Sequence, residues 1–158
     1  MPASAGNDAV RADLTQITVV IADDHIVMRQ GLRLLIDNED GLQVLAEAGN
    51  VPDAERLTRA HRPSVLVLDL SMPGGSSLEA IPRLHETAPE TALVALTMQT
   101  DPAFAREALR AGAHGVVLTE AAGDDLPEAI RCADRVTRSA RGSSQDAPEG
   151  RERATSPR

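Results

Sequence analysis

The chain has no lysine, tryptophan or tyrosine, and only one phenylalanine, Phe104, and one cysteine, Cys132, among its 158 residues. With a single aromatic ring in a composition that is 42% hydrophobic, the core has to be packed from Ala, Val, Leu, Ile and Met, which suits layered helices and strands. A lone cysteine cannot form an internal disulfide, which fits a reducing compartment. All sixteen basic residues are arginine and the net charge is −8, so the chain lacks the clustered positive charge from which phosphate backbones draw most of their affinity, and no direct nucleic-acid binding is expected of it. No apolar run approaches the roughly 18 residues needed to span a bilayer. The opening MPASAGNDAVRADLTQ is polar and has no signal-peptide core. A cytoplasmic protein with no membrane partner is the expectation.

At this length one domain plus tails is expected. Residues 1–16 carry no periodic apolar pattern and read as a flexible leader, residues 17–138 as the domain, and residues 139–158, rich in Ser, Gly, Pro and Arg, as a disordered tail. Within 17–138 two textures alternate. The runs ITVVIA (17–22), LQVLAEA (42–48), VLVLDL (65–70), ALVALT (92–97) and GVVLT (115–119) are near-continuous in apolar residues, as strands buried on both faces should be. Each is followed by a helical segment. Met28, Leu32, Leu35 and Ile36 share one face of the first, and Leu126, Ala129, Ile130 and Ala133 share one face of the last. Asp101-Pro102 and Asp125-Leu126-Pro127 each place a capping acid near a proline, and so predict helix starts there. Five strand–helix units in strict alternation predict an α/β domain with a parallel sheet and right-handed crossovers. For a five-unit domain of this size the flavodoxin-like (βα)5 order 2-1-3-4-5 is expected.

In such sheets ligands bind beyond the carboxyl ends of the strands, where the strand order reverses. Asp23 and Asp24 end the first strand, Asp69 the third, Thr97 the fourth and Thr119 the fifth. The order 2-1-3-4-5 would bring Asp23, Asp24 and Asp69 together. Two carboxylates about 4 Å apart repel by on the order of 4 kcal/mol at an effective dielectric of about 20, so a cation is wanted there. Oxygen ligands with room for water and phosphate suit Mg²⁺. A metal beside a carboxylate and a hydroxyl is equipment for phosphoryl transfer, with Asp69 as the nucleophile that would form an acyl phosphate. Taken singly, a strand-end Asp is more often a turn former or helix cap; what weighs against that here is convergence from separate strands. His25 has a ring able to ligate a metal, but at the opening of the first helix it reads as a solvated side chain. His61, His85 and His114 have no partner at metal-ligand spacing. Cys132, beside the apolar stripe of the last helix, reads as packed rather than reactive.

The segments VVIADDHIVMRQGLRLLI, VLVLDLSMPGGSSLEAI and ALVALTMQTDPAFAREALRAGAHG, with the strand that follows, resemble a response-regulator receiver domain of the NarL/FixJ (LuxR-type) family over about residues 17–138. The resemblance implies that Asp69 accepts a phosphoryl group from a histidine kinase in a two-component phosphorelay. It also implies that Asp24 and Asp69 ligate Mg²⁺ directly, that Asp23 helps through water, that the Ser71 carbonyl completes the protein ligands, and that Thr97 hydrogen-bonds the phosphoryl oxygen. Output would run through the face formed by the fourth helix, fifth strand and fifth helix, around Phe104–Arg110 and Leu126–Arg135, to a partner or a homodimer mate, with transcription regulation as the expected role.

Three departures stand out. The family places a lysine where this chain has Thr119 and a switch aromatic where it has Val116, and such regulators usually continue into a helix-turn-helix output domain that is not seen here. A charge-assisted hydrogen bond from that lysine contributes about 1.5–3 kcal/mol, so a neutral hydroxyl should weaken the coupling between phosphorylation and conformational change. The alternative reading is a receiver-like protein–protein interaction module that responds weakly or not at all to phosphate. An enzymatic reading as a haloacid-dehalogenase-like phosphatase wants a second acid two residues after the nucleophile, where Ser71 sits. No Gly-x-Gly-x-x-Gly opens the first helix for a dinucleotide. No enzyme is expected.

Overall fold

Strands form where the β-branched runs were read, and each helix packs the apolar stripe that follows. The computed structural model describes residues 16–146. In chain order the elements are β1 (Ile17–Ala22), α1 (Ile26–Asp37), β2 (Leu42–Ala48), α2 (Val51–His61), β3 (Val65–Asp69), α3 (Ser77–Thr87), β4 (Ala92–Thr97), α4 (Pro102–Ala111), β5 (Gly115–Leu118), a 3₁₀ turn (Thr119–Ala121) and α5 (Ala122–Asp146). All four strand pairings are parallel and the sheet order is β2-β1-β3-β4-β5, the flavodoxin-like arrangement expected from the sequence.

Side chains alternate between the two faces of the sheet with a period of two. Val19, Ile21, Val65, Val67, Val94, Leu96 and Val117 pack with Leu32 and Ile36 of α1 and Leu126, Ile130 and Ala133 of α5. Their neighbours Val20, Ala22, Leu66, Leu68, Leu93 and Ala95 pack on the opposite face with Val51, Ala54, Ala80, Ile81, Leu84 and Ala108 from α2, α3 and α4. Two covered faces explain why the strands are apolar throughout rather than alternating.

Three of the helix starts use short polar side chains. Asn50 accepts a hydrogen bond from Asp53 N (2.8 Å), Ser76 from Glu79 N (3.2 Å) and Asp101 from Ala103 N (2.9 Å), with Pro102 opening α4 as expected. The last helix departs from expectation at its start, which is Ala122 rather than a cap at Asp125, so Pro127 lies inside it. The 3₁₀ turn directly after β5 establishes helical geometry earlier, and Asp124 and Asp125 fall in the first turn, where the helix dipole favours acids. Its end differs as well: α5 runs past residue 138 to Asp146, because a helix already held by Leu126, Ile130, Ala133 and buried Thr137 propagates cheaply through the next turns. Residues 1–15 of the expected leader and 147–158 of the expected tail lie outside the described residues. Cys132 is exposed, not packed. It precedes buried Ala133 by one residue, about 100° around the helix and off the buried stripe.

Among the described residues no helix is long and apolar enough to cross a membrane. The loop after β3 is fixed by Val51 N donating to Pro73 O (3.1 Å) and by Gly74, whose φ of +89° and close approach to the Pro52 ring, 2.7 Å from where a Cβ would stand, suit only glycine.

Candidate functional site

The strand order reverses between β1 and β3, because β1 pairs with β2 on one side and β3 on the other. Asp23 and Asp24 leave β1 at this edge and Asp69 closes β3 beside them. One ligand atom from each of Asp23, Asp24, His25 and Asp69 lies within 4.8 Å of all the others. Asp23 and Asp69 are nearly inaccessible, at 3% and 7% exposure.

Asp23 and Asp69 are each held by their own neighbours. Asp23 Oδ1 accepts from His25 N at 2.9 Å, and its backbone carbonyl accepts from the Arg29 guanidinium at 2.7 Å. Asp69 Oδ1 accepts from Ser71 N at 3.0 Å, while its backbone carbonyl accepts from the Ser77 hydroxyl at 2.8 Å. Burial, with the Asp23 and Asp24 carboxylates beside it, pushes the Asp69 carboxyl up to about 6 against the opposing pull of the Ser71 N–H and of His25. Asp24 Oδ1 is shielded from solvent and accepts no hydrogen bond, although His25 Nδ1 is 3.2 Å away. A buried carboxylate oxygen without a donor, inside a set of like charges, is the environment a divalent cation satisfies. The donor set therefore fits Mg²⁺, with Asp23, Asp24 and Asp69 on hand to hold it.

Thr97, the last residue of β4, is buried and its Oγ1 accepts from Gln99 N at 3.0 Å. It sits one residue past Leu96, the β4 partner of Asp69. Thr119, the first residue of the 3₁₀ turn, lines the acid pocket together with Asp23, His25, Met28, Asp69 and Met98. Thr119, one residue past the end of β5, therefore stands at the pocket wall. Val116 is half-buried against the layer of α2, α3 and α4. Ser71 is exposed, and its N–H is its described contact with Asp69.

Sequence reasoning missed four contributors. His25 reads as solvated, and its side chain is indeed 62% exposed, yet Nδ1 reaches both Asp23 and Asp24. Ser77 and Arg29 anchor backbone carbonyls that no local pattern marks. Met98 lines the pocket simply because it follows Thr97 into the loop.

A five-stranded parallel sheet with three carboxylates at its switch point, a buried acid on β3 and a hydroxyl on β4 defines a signalling receiver. The response regulator receiver domain profile matches residues 19–131, and the chain belongs to that family. Its fold and relatives place it in two-component phosphorelay signalling. It is 39% identical over 114 residues to the oxygen regulatory protein NreC of Staphylococcus haemolyticus (strain JCSC1435), covering 72% of this chain and 52% of that protein. To NreC of Staphylococcus carnosus (strain TM300) it is 38% identical over the same length. The chain spans about half the length of these curated relatives. Among solved structures, a LuxR-family two-component response regulator from Aurantimonas sp. SI85-9A1 superposes with a TM-score of 0.72 at 32% identity, covering 76% of this chain and 86% of that one. A DNA-binding LuxR-family response regulator from Staphylococcus aureus superposes at 0.69 with 26% identity, covering 75% and 98%.

Proposed function

We propose that this chain accepts a phosphoryl group on Asp69 from the phosphohistidine of a histidine kinase and signals through α4, β5 and α5. The observation that carries the reading is Asp69 itself, 7% exposed, lining an open pocket and clustered with Asp23, Asp24 and His25. An Asp69 carboxylate oxygen would attack phosphorus in line as the P–N bond to the kinase imidazole breaks, and the imidazole would leave with its proton. Asp24 and Asp69 would hold Mg²⁺ directly, Asp23 through water, and the Ser71 carbonyl would complete the protein ligands. When bound, the ion neutralises charge on the phosphoryl oxygens. The Thr97 hydroxyl accepts from Gln99 N and so keeps its own proton to donate to a phosphoryl oxygen.

The output is proposed to be regulation of transcription through a protein partner or a second copy meeting α4, β5 and α5, with no direct nucleic-acid contact by this chain and in the cytoplasm. Exposed Leu109 on α4 and Val136 on α5 support a contact surface there. Incubation with acetyl phosphate and Mg²⁺, followed by intact-mass measurement, tests the acceptor. The expected result is a single phosphate adduct lost in Asp69→Asn and in chelator. An Asp69→Asn protein labelled as well as the parent would remove Asp69 from the role. No labelling and no shift with a beryllofluoride mimic would return the chain to the interaction-module reading.

A further inference from the structure

A second cleft opens at the sheet edge opposite the acid pocket, where β4 and β5 begin, between the end of α3 and the later turns of α5. It has a volume of about 310 Å³ and is walled by Pro89 and Val136 together with His85, His114, Thr137 and Arg141. No acid is among these residues, on a chain of net charge −8. Three of the polar groups lack partners among the described residues. Arg131, Arg135 and Arg138 of α5 pair with Glu39, Glu128 and Asp134, whereas Arg141 pairs with no acid. Thr137 is 6% exposed and its buried hydroxyl has no hydrogen-bond partner. His114 Nδ1 accepts from Leu93 N at 3.0 Å, so the ring carries its proton on Nε2, on the side away from Leu93, and that N–H has no acceptor.

We propose that this cleft binds a small aromatic carboxylate, with the carboxylate on the Arg141 guanidinium and His114 Nε2–H and the ring against Pro89, Val136 and the His85 imidazole. Arginine presents a planar fork of donors that matches a carboxylate or a phosphate, so charge alone admits either anion. The walls decide between them. Pro89 and Val136 gain nothing from a compact hydrated phosphate and are covered by a ring. The His85 and His114 imidazoles, with centroids 6.2 Å apart and planes tilted by 41°, add flat surface. The volume is at the lower end of the roughly 300–1,000 Å³ of ligand pockets, which suits a single-ring ligand. Threonine in a helix occupies two χ1 positions, and rotation between them brings the shielded Thr137 hydroxyl within the ligand's reach. Because the cleft joins α3, the start of β5 and α5, an occupied site ties α5 to the body of the domain from the edge opposite Asp69. It is a chemical input separate from phosphorylation.

The test is a titration of the isotope-labelled full chain with benzoate, followed by amide chemical shifts, with acetate and inorganic phosphate as companion titrants at equal ionic strength. Benzoate is expected to give saturable shifts concentrated at His114, Thr137, Arg141 and the end of α3. Acetate and phosphate should bind at least about tenfold more weakly, since neither buries a ring. Arg141→Gln, which changes an exposed side chain, should weaken benzoate by about tenfold or more, the loss that goes with one hydrogen bond to a charged group. Thr137→Val, which keeps the shape and removes the hydroxyl, should weaken it by a smaller factor. Asp69→Asn should bind benzoate as the parent does. Acetate or phosphate binding as tightly as benzoate would reveal a site for charge alone and overturn the proposal. Shifts that grow without saturating, or parent-like benzoate affinity in Arg141→Gln, would overturn it too. Benzoate shifts lost in Asp69→Asn would place the anion's effect at the acid pocket, with the same result.

Discussion

Asp69 carries an energetic cost in the fold. Its carboxyl titrates near 6 rather than at the ordinary 3.8, chiefly because it is buried and next because Asp23 and Asp24 sit beside it. A raised folded value means that the folded state holds the proton more tightly than the unfolded chain. The contribution to stability is full below about 4 and is lost as pH rises through about 6. A shift of this size corresponds to about 2–3 kcal/mol. In chelator, Asp69→Asn is expected to exceed the parent in stability by about that amount at pH 8 and to match it near pH 4, as read from urea unfolding at the two values. A variant with the same pH slope as the parent would place the cost elsewhere. His114 works in the opposite direction. Burial first and His85 second lower its pKa, so its contribution is full above 6.5 and is lost as pH falls through the lowered folded value. Its Nδ1 accepts from Leu93 N at 3.0 Å. His114→Ala should cost about 1–3 kcal/mol by leaving that N–H without its partner. His114→Asn, which keeps an acceptor, should recover part of the loss while removing the pH dependence. Equal stability of the two variants would mean that the ring's packing matters and its nitrogen does not.

At the scale of elements, the helices are not equally anchored. Ala108 is the single buried residue of α4, whereas α3 buries Ser77, Ala80, Ile81 and Leu84. Met98, which leads from β4 towards α4, and Leu109 on α4 are exposed. An element with so little buried surface opens at low free energy. Hydrogen exchange of α4 amides is therefore expected to be faster than that of α3, and protection of α4 equal to α3 would count against it as the moving part. Between this helix and the acid pocket lie the two departures from the family pattern. Thr119 lines the pocket without supplying charge, and Val116 packs a small side chain against the layer of α2, α3 and α4. Thr119→Lys combined with Val116→Tyr is expected to enlarge the amide chemical-shift changes that beryllofluoride produces in β4, β5 and α4. A response no larger than the parent's would show that these positions do not limit the switch.

For the whole molecule, a net charge of −8 with three acids gathered at one sheet edge makes cation binding and folding linked quantities. A ligand that binds only the folded state stabilises by about 2.7 kcal/mol at about 100 times its Kd. Mg²⁺ should raise the thermal midpoint of the parent accordingly, and Asp24→Asn should abolish the rise. A midpoint that climbs equally in the variant would reflect general screening of acidic charge rather than a site.

The layers of the domain were legible in the chain because two periodicities are local. A run such as Val65–Asp69 declares a strand buried on both faces, and Leu126, Ile130 and Ala133 declare a helix stripe, without reference to anything distant. The site was legible in outline for the same reason: Asp23, Asp24, Asp69, Thr97 and Thr119 are strand ends, and strand ends of a parallel sheet share an edge. What the sequence could not determine is what depends on atoms brought together across elements. The Ser77 hydroxyl reaches the Asp69 carbonyl, and a helix cap expected at Asp125 was pre-empted by a turn at Thr119. Cys132 faces solvent because a rotation of about 100° separates it from Ala133. His25, read alone as solvated, has Nδ1 within 3.3 Å of the carboxylates of its chain neighbours Asp23 and Asp24 through the local turn that its backbone N–H closes onto Asp23. Local pattern determines which residues are buried and which edge they reach; three-dimensional packing decides which polar atoms meet, since hydrogen bonds and charges act over a few ångströms that sequence distance does not measure.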